Sequence, residues 1–117
     1  MKKILISTLA VLTLALSGCA SSADTSPNNS EITQVIDVRT AAEYASGHVS
    51  NAINIDVEDS SFSSNISNLD KSGVYLVYCQ SGRRSALAAT ALTEAGYTVV
   101  DGGGIDAMLS NGWELGQ

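Results

Sequence analysis

The sequence predicts an α/β fold in which a small parallel β-sheet is flanked by helices on both faces, and three observations point to it. Apolar runs rich in β-branched residues alternate with helix-like segments along 31–117, an order that implies parallel strands joined by helical crossovers. The plainest strand pattern, Val74-Tyr75-Leu76-Val77-Tyr78, is apolar at five consecutive positions, as a strand buried on both faces requires. The plainest helix pattern follows closely, over 84–95, with Leu87, Ala88, Ala91, Leu92 and Ala95 along one stripe. Strand order is left open by such patterns.

The first 30 residues stand apart. Lys2 and Lys3 make a basic start, 13 apolar-rich residues cover 4–16, and small residues lead to Cys19. This is the layout of a secretory signal, and the run is shorter than the roughly 20 residues of a membrane-spanning helix. Leu16-Ser17-Gly18-Cys19 resembles the lipobox of bacterial lipoproteins. That implies a signal peptide over 1–18, lipidation of Cys19 and attachment to a membrane through the lipid. Ordinary cleavage after Ala20 or Ala23, leaving a soluble periplasmic protein, is the alternative. Ala20, rather than Asp, after the cysteine resembles outer-membrane sorting, facing the periplasm, in a Gram-negative host. Residues 19–30, rich in Ser and Asn with one Pro and no apolar period, read as a flexible tether. One domain is expected over 31–117, long enough for a single core.

Within that domain, 33–38 reads as a buried strand. Thr40 and Glu43 form a capping box that opens a short helix, which Gly47 is placed to end. A short strand follows over 52–55. Phe62, Ile66 and Leu69 lie at helical spacing and make 61–69 a weak helix. Strand 74–78 and helix 84–95 come next, with Gly96 at the helix C-terminal position. Residues 98–100 form another strand, Gly102-Gly103-Gly104 turns the chain, and 105–109 makes a last short helix.

The net charge is −6, and without Lys2 and Lys3 it is −8, four basic residues standing against twelve acidic ones. That balance argues against nucleic acid as a partner. Of the four, Arg83 and Arg84 are adjacent and follow Cys79 closely. With Cys19 lipidated, Cys79 has no partner for a disulfide, and a lone thiol in an exported protein is a candidate reactive group. A buried, inert thiol is the bland reading.

The neighbours of Cys79 favour reactivity. The residue ends the best strand, and Gln80-Ser81-Gly82-Arg83 leads into the best helix, the place where open α/β folds bind ligands. Unpaired amides and the positive end of the dipole at a helix N-terminus attract anions, and thiol pKa values there fall from ~8.5 to about 3.5–7.5. Gly82 lets the loop curl so that successive amides point inward. Arg83 and Arg84 add positive charge. Such a cradle suits a thiolate that attacks the outer sulfur of a small dianion such as thiosulfate. Sulfite leaves, and a persulfide on Cys79 passes its sulfur to cyanide or a thiol.

Cys79-Gln80-Ser81-Gly82-Arg83-Arg84-Ser85 resembles the Cys-x-x-Gly-x-Arg-Ser loop of single-domain rhodaneses. Asp37-Val38-Arg39, Glu43-Tyr44, Gly47-His48-Val49 and Ala52-Ile53-Asn54-Ile55 resemble the family's upstream signature in the right order. Gly96-Tyr97, Gly103-Gly104 and Trp113 are similar to its C-terminal part. The resemblance spans 35–116 and implies a rhodanese-like fold, sulfurtransferase activity with Cys79 as nucleophile, and no cofactor. It implies substrate binding by Gln80, Ser81, Gly82, Arg83, Arg84 and Ser85, with Arg84 ahead of Arg83 because the motif keeps its position. Ser85 either caps the helix or donates toward Cys79. The implied loop has six residues, Cys79 to Arg84; related phosphatases and arsenate reductases use one residue more, for a larger oxyanion. A cationic loop is similar to those of thiosulfate users, whereas mercaptopyruvate users have less basic loops. The family's first strand and helix are not readable before Val35, Asn51 stands where Gly is common, and a proline near the C-terminus is absent.

Other polar residues read as structural. Asp37 suits a strand end that holds a turn, and Arg39 suits a partner such as Glu43. His48 is not needed as a base for a thiolate already ionised. Trp113 and Tyr97 read as core or edge packing. One His and at most two Cys do not build a four-ligand zinc site, so no metal is expected. The expected partners are a small anionic sulfur donor, a thiol or cyanide acceptor and the membrane, and the expected form is a monomer. Two other functions compete. One is a non-catalytic rhodanese-like binding module at the cell envelope, which the presence of the cysteine disfavours. The other is a thiol-redox or arsenate reductase-type enzyme, which the missing second cysteine and the short loop disfavour.

Overall fold

The structure is a computed structural model and describes residues 29–116. The signal segment, Cys19 and the tether up to residue 28 lie outside the described residues. A 3-10 turn, Asn29–Glu31, precedes β1 (Gln34–Asp37), α1 (Ala41–Ser46), β2 (His48–Val49) and β3 (Ile53–Asn54). Then come α2 (Phe62–Ile66), β4 (Val74–Cys79), α3 (Arg83–Glu94), β5 (Thr98–Gly104), α4 (Ile105–Ser110) and β6 (Leu115–Gly116).

Four strands form one parallel sheet in the order β3-β1-β4-β5. β4 lies inside it, as its apolar run requires. Because side chains alternate across a strand, Tyr75, Val77 and Cys79 enter one core and Leu76 and Tyr78 the other. The first core is closed by Phe62 and Ile66 of α2 and by Ala88 and Leu92 of α3. The second is closed by Met108 of α4, with Tyr44 of α1 and Trp113 packed against it. Helices therefore cover both faces, and Cys79 sits at the carboxyl edge of a central strand.

Local rules place the crossovers. Thr40 caps α1 by accepting the Glu43 N–H at 3.2 Å, while the Glu43 carboxylate accepts the Thr40 N–H at 3.4 Å. Gly47, at φ 147°, ends the helix. Asn51 is the one non-glycine residue with positive φ among those described, at 67°, a conformation Asn tolerates better than most side chains. Tyr97 is anchored to α2 by donating its hydroxyl proton to the Ile66 carbonyl at 2.5 Å.

Two features depart from the sequence reading. The glycine run does not turn the chain. β5 continues through Gly104, with an irregularity that moves the register from Val77–Asp101 to Cys79–Gly104. Gly103 adopts φ 76°, which marks a bulge, and a Cβ on Gly102 would lie 2.6 Å from the Met108 sulfur. The second departure is the antiparallel pair of β2 and β6, His48 facing Gly116 and Val49 facing Leu115. Two-residue strands carry no readable period, so nothing in the pattern announces them.

Candidate active site

Cys79 is buried, with 0% of its surface exposed, and it is the one cysteine among the described residues. The chain curls back over the sulfur because Gly82 takes φ 100°, a left-handed conformation that a side chain would strain. The Gly82 N–H then donates to Cys79 Sγ at 2.9 Å. Burial pushes the thiol up, but the Ser85 backbone and hydroxyl, the Gly82 N–H and the Ser81 N–H outweigh it and hold the thiol below its ordinary value. These donors come from the loop and the first turn of α3, so the start of the helix presents its free amides to the thiolate.

Each loop residue has its own place. The Gln80 side chain points inward, its Oε1 accepting from Arg39 Nη1 at 3.0 Å. Ser81 is exposed and its backbone bridges to Gly104. Ser85 is fully buried. Its hydroxyl has one proton and two acceptors within reach, the Gly82 carbonyl at 3.0 Å and the Cys79 sulfur. Of the two expected roles, the donation toward Cys79 is the one the geometry allows; α3 has Gly82 at its N-cap and no side-chain cap.

The two arginines differ sharply. Arg84 forms a forked pair with Glu43, Nη1 to Oε1 at 2.7 Å and Nη2 to Oε2 at 2.9 Å. Arg84 holds the Glu43 carboxyl down at about 2, so the pair stays charged through the whole working range of pH. The same carboxylate completes the α1 capping box, which locks α1 to the start of α3. Arg83 is exposed, and no hydrogen bond or ion pair engages it among the described residues.

Beneath the loop lies a buried polar network that the sequence reading placed only in outline. Asp37 is fully buried and Arg39 is 3% exposed. Arg39 Nε bonds both Asp37 oxygens at 3.0 Å, and Nη2 bonds Oδ2 at 2.7 Å and the Gly47 carbonyl at 2.6 Å. Asp37 Oδ1 also accepts the Arg39 N–H at 2.9 Å, the turn-holding role expected of it. The arginine's acid is therefore Asp37; Glu43 is engaged by Arg84 instead. Tyr78 donates to Asp37 Oδ2 at 2.7 Å and accepts the Val49 N–H at 2.9 Å. Its hydroxyl is pushed well above the ordinary phenol range, by burial first and then by the Asp37 carboxylate. His48 lies outside this network, stacked on Tyr44 at 3.7 Å with Nδ1 2.9 Å from the Tyr44 carbonyl.

Gly104 is the site residue that sequence reasoning missed. A Cβ there would lie 2.8 Å from the Gln80 carbonyl oxygen and 3.2 Å from Ser81 backbone atoms. The run of three glycines was the available signal; a close approach of two backbones is a common reason for such a run. Gly104→Ala is expected to displace the loop and slow any reaction of Cys79 by about 10- to 100-fold, since a 1 Å misplacement costs on that order. Iodoacetamide labelling of Cys79 against a thermal melt checks this. Normal labelling in the alanine variant would mean that the loop adapts.

Residues 22–109 match the Rhodanese-like domain. The chain belongs to the rhodanese family. Over 69 residues it is 39% identical to thiosulfate sulfurtransferase PspE of Escherichia coli, a match spanning 59% of this chain and 66% of that protein. Among solved structures, a rhodanese-related protein of Thermoplasma volcanium superposes with a TM-score of 0.62 at 33% identity, over 71% of this chain and 82% of that one. A rhodanese from E. coli solved with anions superposes with a TM-score of 0.54 at 35% identity, over 63% and 88%. The rhodanese fold accounts for the parallel sheet with helices on both faces, and it puts the cysteine loop where the amides converge.

Proposed function

We propose that this rhodanese is a sulfurtransferase that carries sulfane sulfur on Cys79. The observation that carries the reading is the Cys79 sulfur at the carboxyl end of a central strand, with the Gly82 N–H donating to it at 2.9 Å and Ser81 and Ser85 helping to hold its thiol below the ordinary value. The Cys79 thiolate attacks the outer sulfur of thiosulfate. A bond forms between the two sulfurs, the bond to the sulfonate sulfur breaks, and sulfite leaves with the bonding electron pair. The loop amides that held one negative sulfur then hold the outer sulfur of the persulfide. Cyanide or a thiolate attacks that sulfur and returns Cys79 as thiolate. Arg83, exposed and without an ion-pair partner among the described residues, meets the incoming dianion, while Arg84 serves with Glu43 as a strut. The names of the curated relatives support thiosulfate as the donor to try first.

The location belongs to the same proposal: the protein is exported and held at the bacterial envelope by lipid on Cys19, on the periplasmic side of the outer membrane in a Gram-negative host. The basic start, the apolar run over 4–16 and Leu16-Ser17-Gly18-Cys19 support it.

One experiment addresses both parts. The chain is recovered from cell membranes, reduced, incubated with thiosulfate and weighed intact. The expected masses show diacylglycerol on the N-terminal cysteine and a gain of one sulfur atom that cyanide removes. A soluble, unlipidated protein would refute the anchor. Absence of the sulfur gain on a demonstrably reduced thiol would refute the transfer.

A further inference from the structure

We propose that Gln80 is a positioning residue of the cysteine loop that acts inward through Arg39. The resemblance had placed Gln80 among the substrate-binding residues. The geometry adds an inward role, because its amide oxygen accepts from Arg39 Nη1 at 3.0 Å. Arg39 is itself immobile. Every nitrogen of its guanidinium is engaged, by Asp37, by the Gly47 carbonyl or by Gln80. Asp37 is fixed in turn by Tyr78, and Tyr78 by the Val49 backbone. The Gln80 side chain is thus fastened to the rigid end of β1.

Its backbone is held from the opposite side. The Gln80 carbonyl packs so closely on Gly104 of β5 that a Cβ there would lie at 2.8 Å. Residue 80 is therefore gripped between two strands, directly after the sulfur-bearing residue. The next two residues, Ser81 and Gly82, have no side-chain hydrogen bond of their own among the described residues, yet their amides face the sulfur. Their direction is set from one side by Gln80 and from the other by the Ser81 bridge to Gly104 and by the first turn of α3. Without the amide oxygen, Arg39 keeps a largely buried donor unsatisfied, a cost that favours the tether over a solvated glutamine.

The charged groups around the loop are Arg84 with Glu43 from α3 and α1, Arg83 at the start of α3, Arg39 with Asp37 from β1, and Glu58 in the segment after β3. Removing the tether changes none of these charges, so a change in the thiol's titration reports loop geometry.

The inference concerns the thiolate's cradle and is tested without any sulfur donor. Gln80→Met keeps the length and removes the acceptor at an exposed residue. Arg39→Lys keeps the charge beside Asp37 and gives up the fork. The reaction of Cys79 with iodoacetamide is followed from pH 5 to 10 in the normal protein, both single variants and the double variant, with circular dichroism as the folding check. Gln80→Met is expected to move the titration upward and to slow labelling at pH 6 by about three- to tenfold. Arg39→Lys should do the same, and the double variant should add nothing further, as residues acting through one link do not add. An unchanged titration in folded Gln80→Met, or additive effects in the double variant, overturns the inference. With thiosulfate as donor, the same variants should lower kcat and leave KM unchanged. A raised KM with a normal titration would instead make Gln80 a donor contact. Because labelling needs no donor, failure of this inference and failure of the sulfur-transfer reading are read separately.

Discussion

Cys79→Ser is expected to abolish sulfur loading from thiosulfate and to cut transfer to cyanide by at least about a thousandfold, as loss of a covalent nucleophile does. Serine fits the cradle, so the Gly82 N–H that donates to the sulfur at 2.9 Å keeps an acceptor and stability should change by only about 1 kcal/mol. The hydroxyl stays protonated at every working pH, however, and cannot hold sulfur. The normal protein should show the corresponding pH profile. The Cys79 thiol lies below its ordinary value because loop donors outweigh burial. The reactive thiolate therefore accumulates as pH rises through that lowered value, and the rate profile should lie at lower pH than that of a free cysteine. The folded state loses this proton first. Stability in the reduced protein should accordingly rise with pH above the folded value and level off once the unfolded thiol also ionises. Activity retained in Cys79→Ser, or a profile that follows free cysteine, would overturn the assignment. Steady-state assays at several pH values settle both points.

Asp37→Ala is expected to cost about 3–5 kcal/mol, the penalty for breaking a buried ion pair from one side. It leaves the Arg39 guanidinium, 3% exposed, without its counter-charge, and removes the acceptor of the Tyr78 hydroxyl. For a small domain with a total stability of roughly 5–15 kcal/mol, that is a large share. Asp37→Asn keeps the shape and one acceptor oxygen and should lose less. Urea denaturation of both variants measures the difference. A loss below about 1 kcal/mol in the alanine variant would show that Arg39 reaches water when its partner is gone, and the network would then carry no weight in the fold.

Much of this was legible before any coordinates. The run Val74-Tyr75-Leu76-Val77-Tyr78 could only be an inner strand, because neither face offers a polar side to water. Thr40 and Glu43 specified a capped helix through local hydrogen bonds, and the cap is present in both directions. The position of Cys79 between that strand and a helix, with Gly82 able to take positive φ, follows from chain order and backbone sterics alone. Short-range rules of this kind depend on residues a few positions apart, which is why a linear reading captures them.

The partners of the charged groups were not legible. Arg39 and Glu43 stand four residues apart and look like a natural pair. Arg39 instead folds back onto Asp37, two residues before it, and reaches Gln80 across the sheet, while Glu43 bonds Arg84, 41 positions away. The division of labour between Arg83 and Arg84 follows from that pairing, because only tertiary packing decides which cation is neutralised. The glycine run carried the same ambiguity. A turn and a bulged strand use the same residues, and it was the packing of Gly104 against the Gln80 backbone that chose the strand. Sequence by itself determined the layered α/β class, the capped start of α1 and the placement of Cys79 between a strand and a helix, since these rest on periodicity, capping and backbone freedom. Tertiary structure alone decided that Arg84 and not Arg83 is neutralised by Glu43 and which backbone presses on the loop, since those depend on distances between segments that no local pattern encodes.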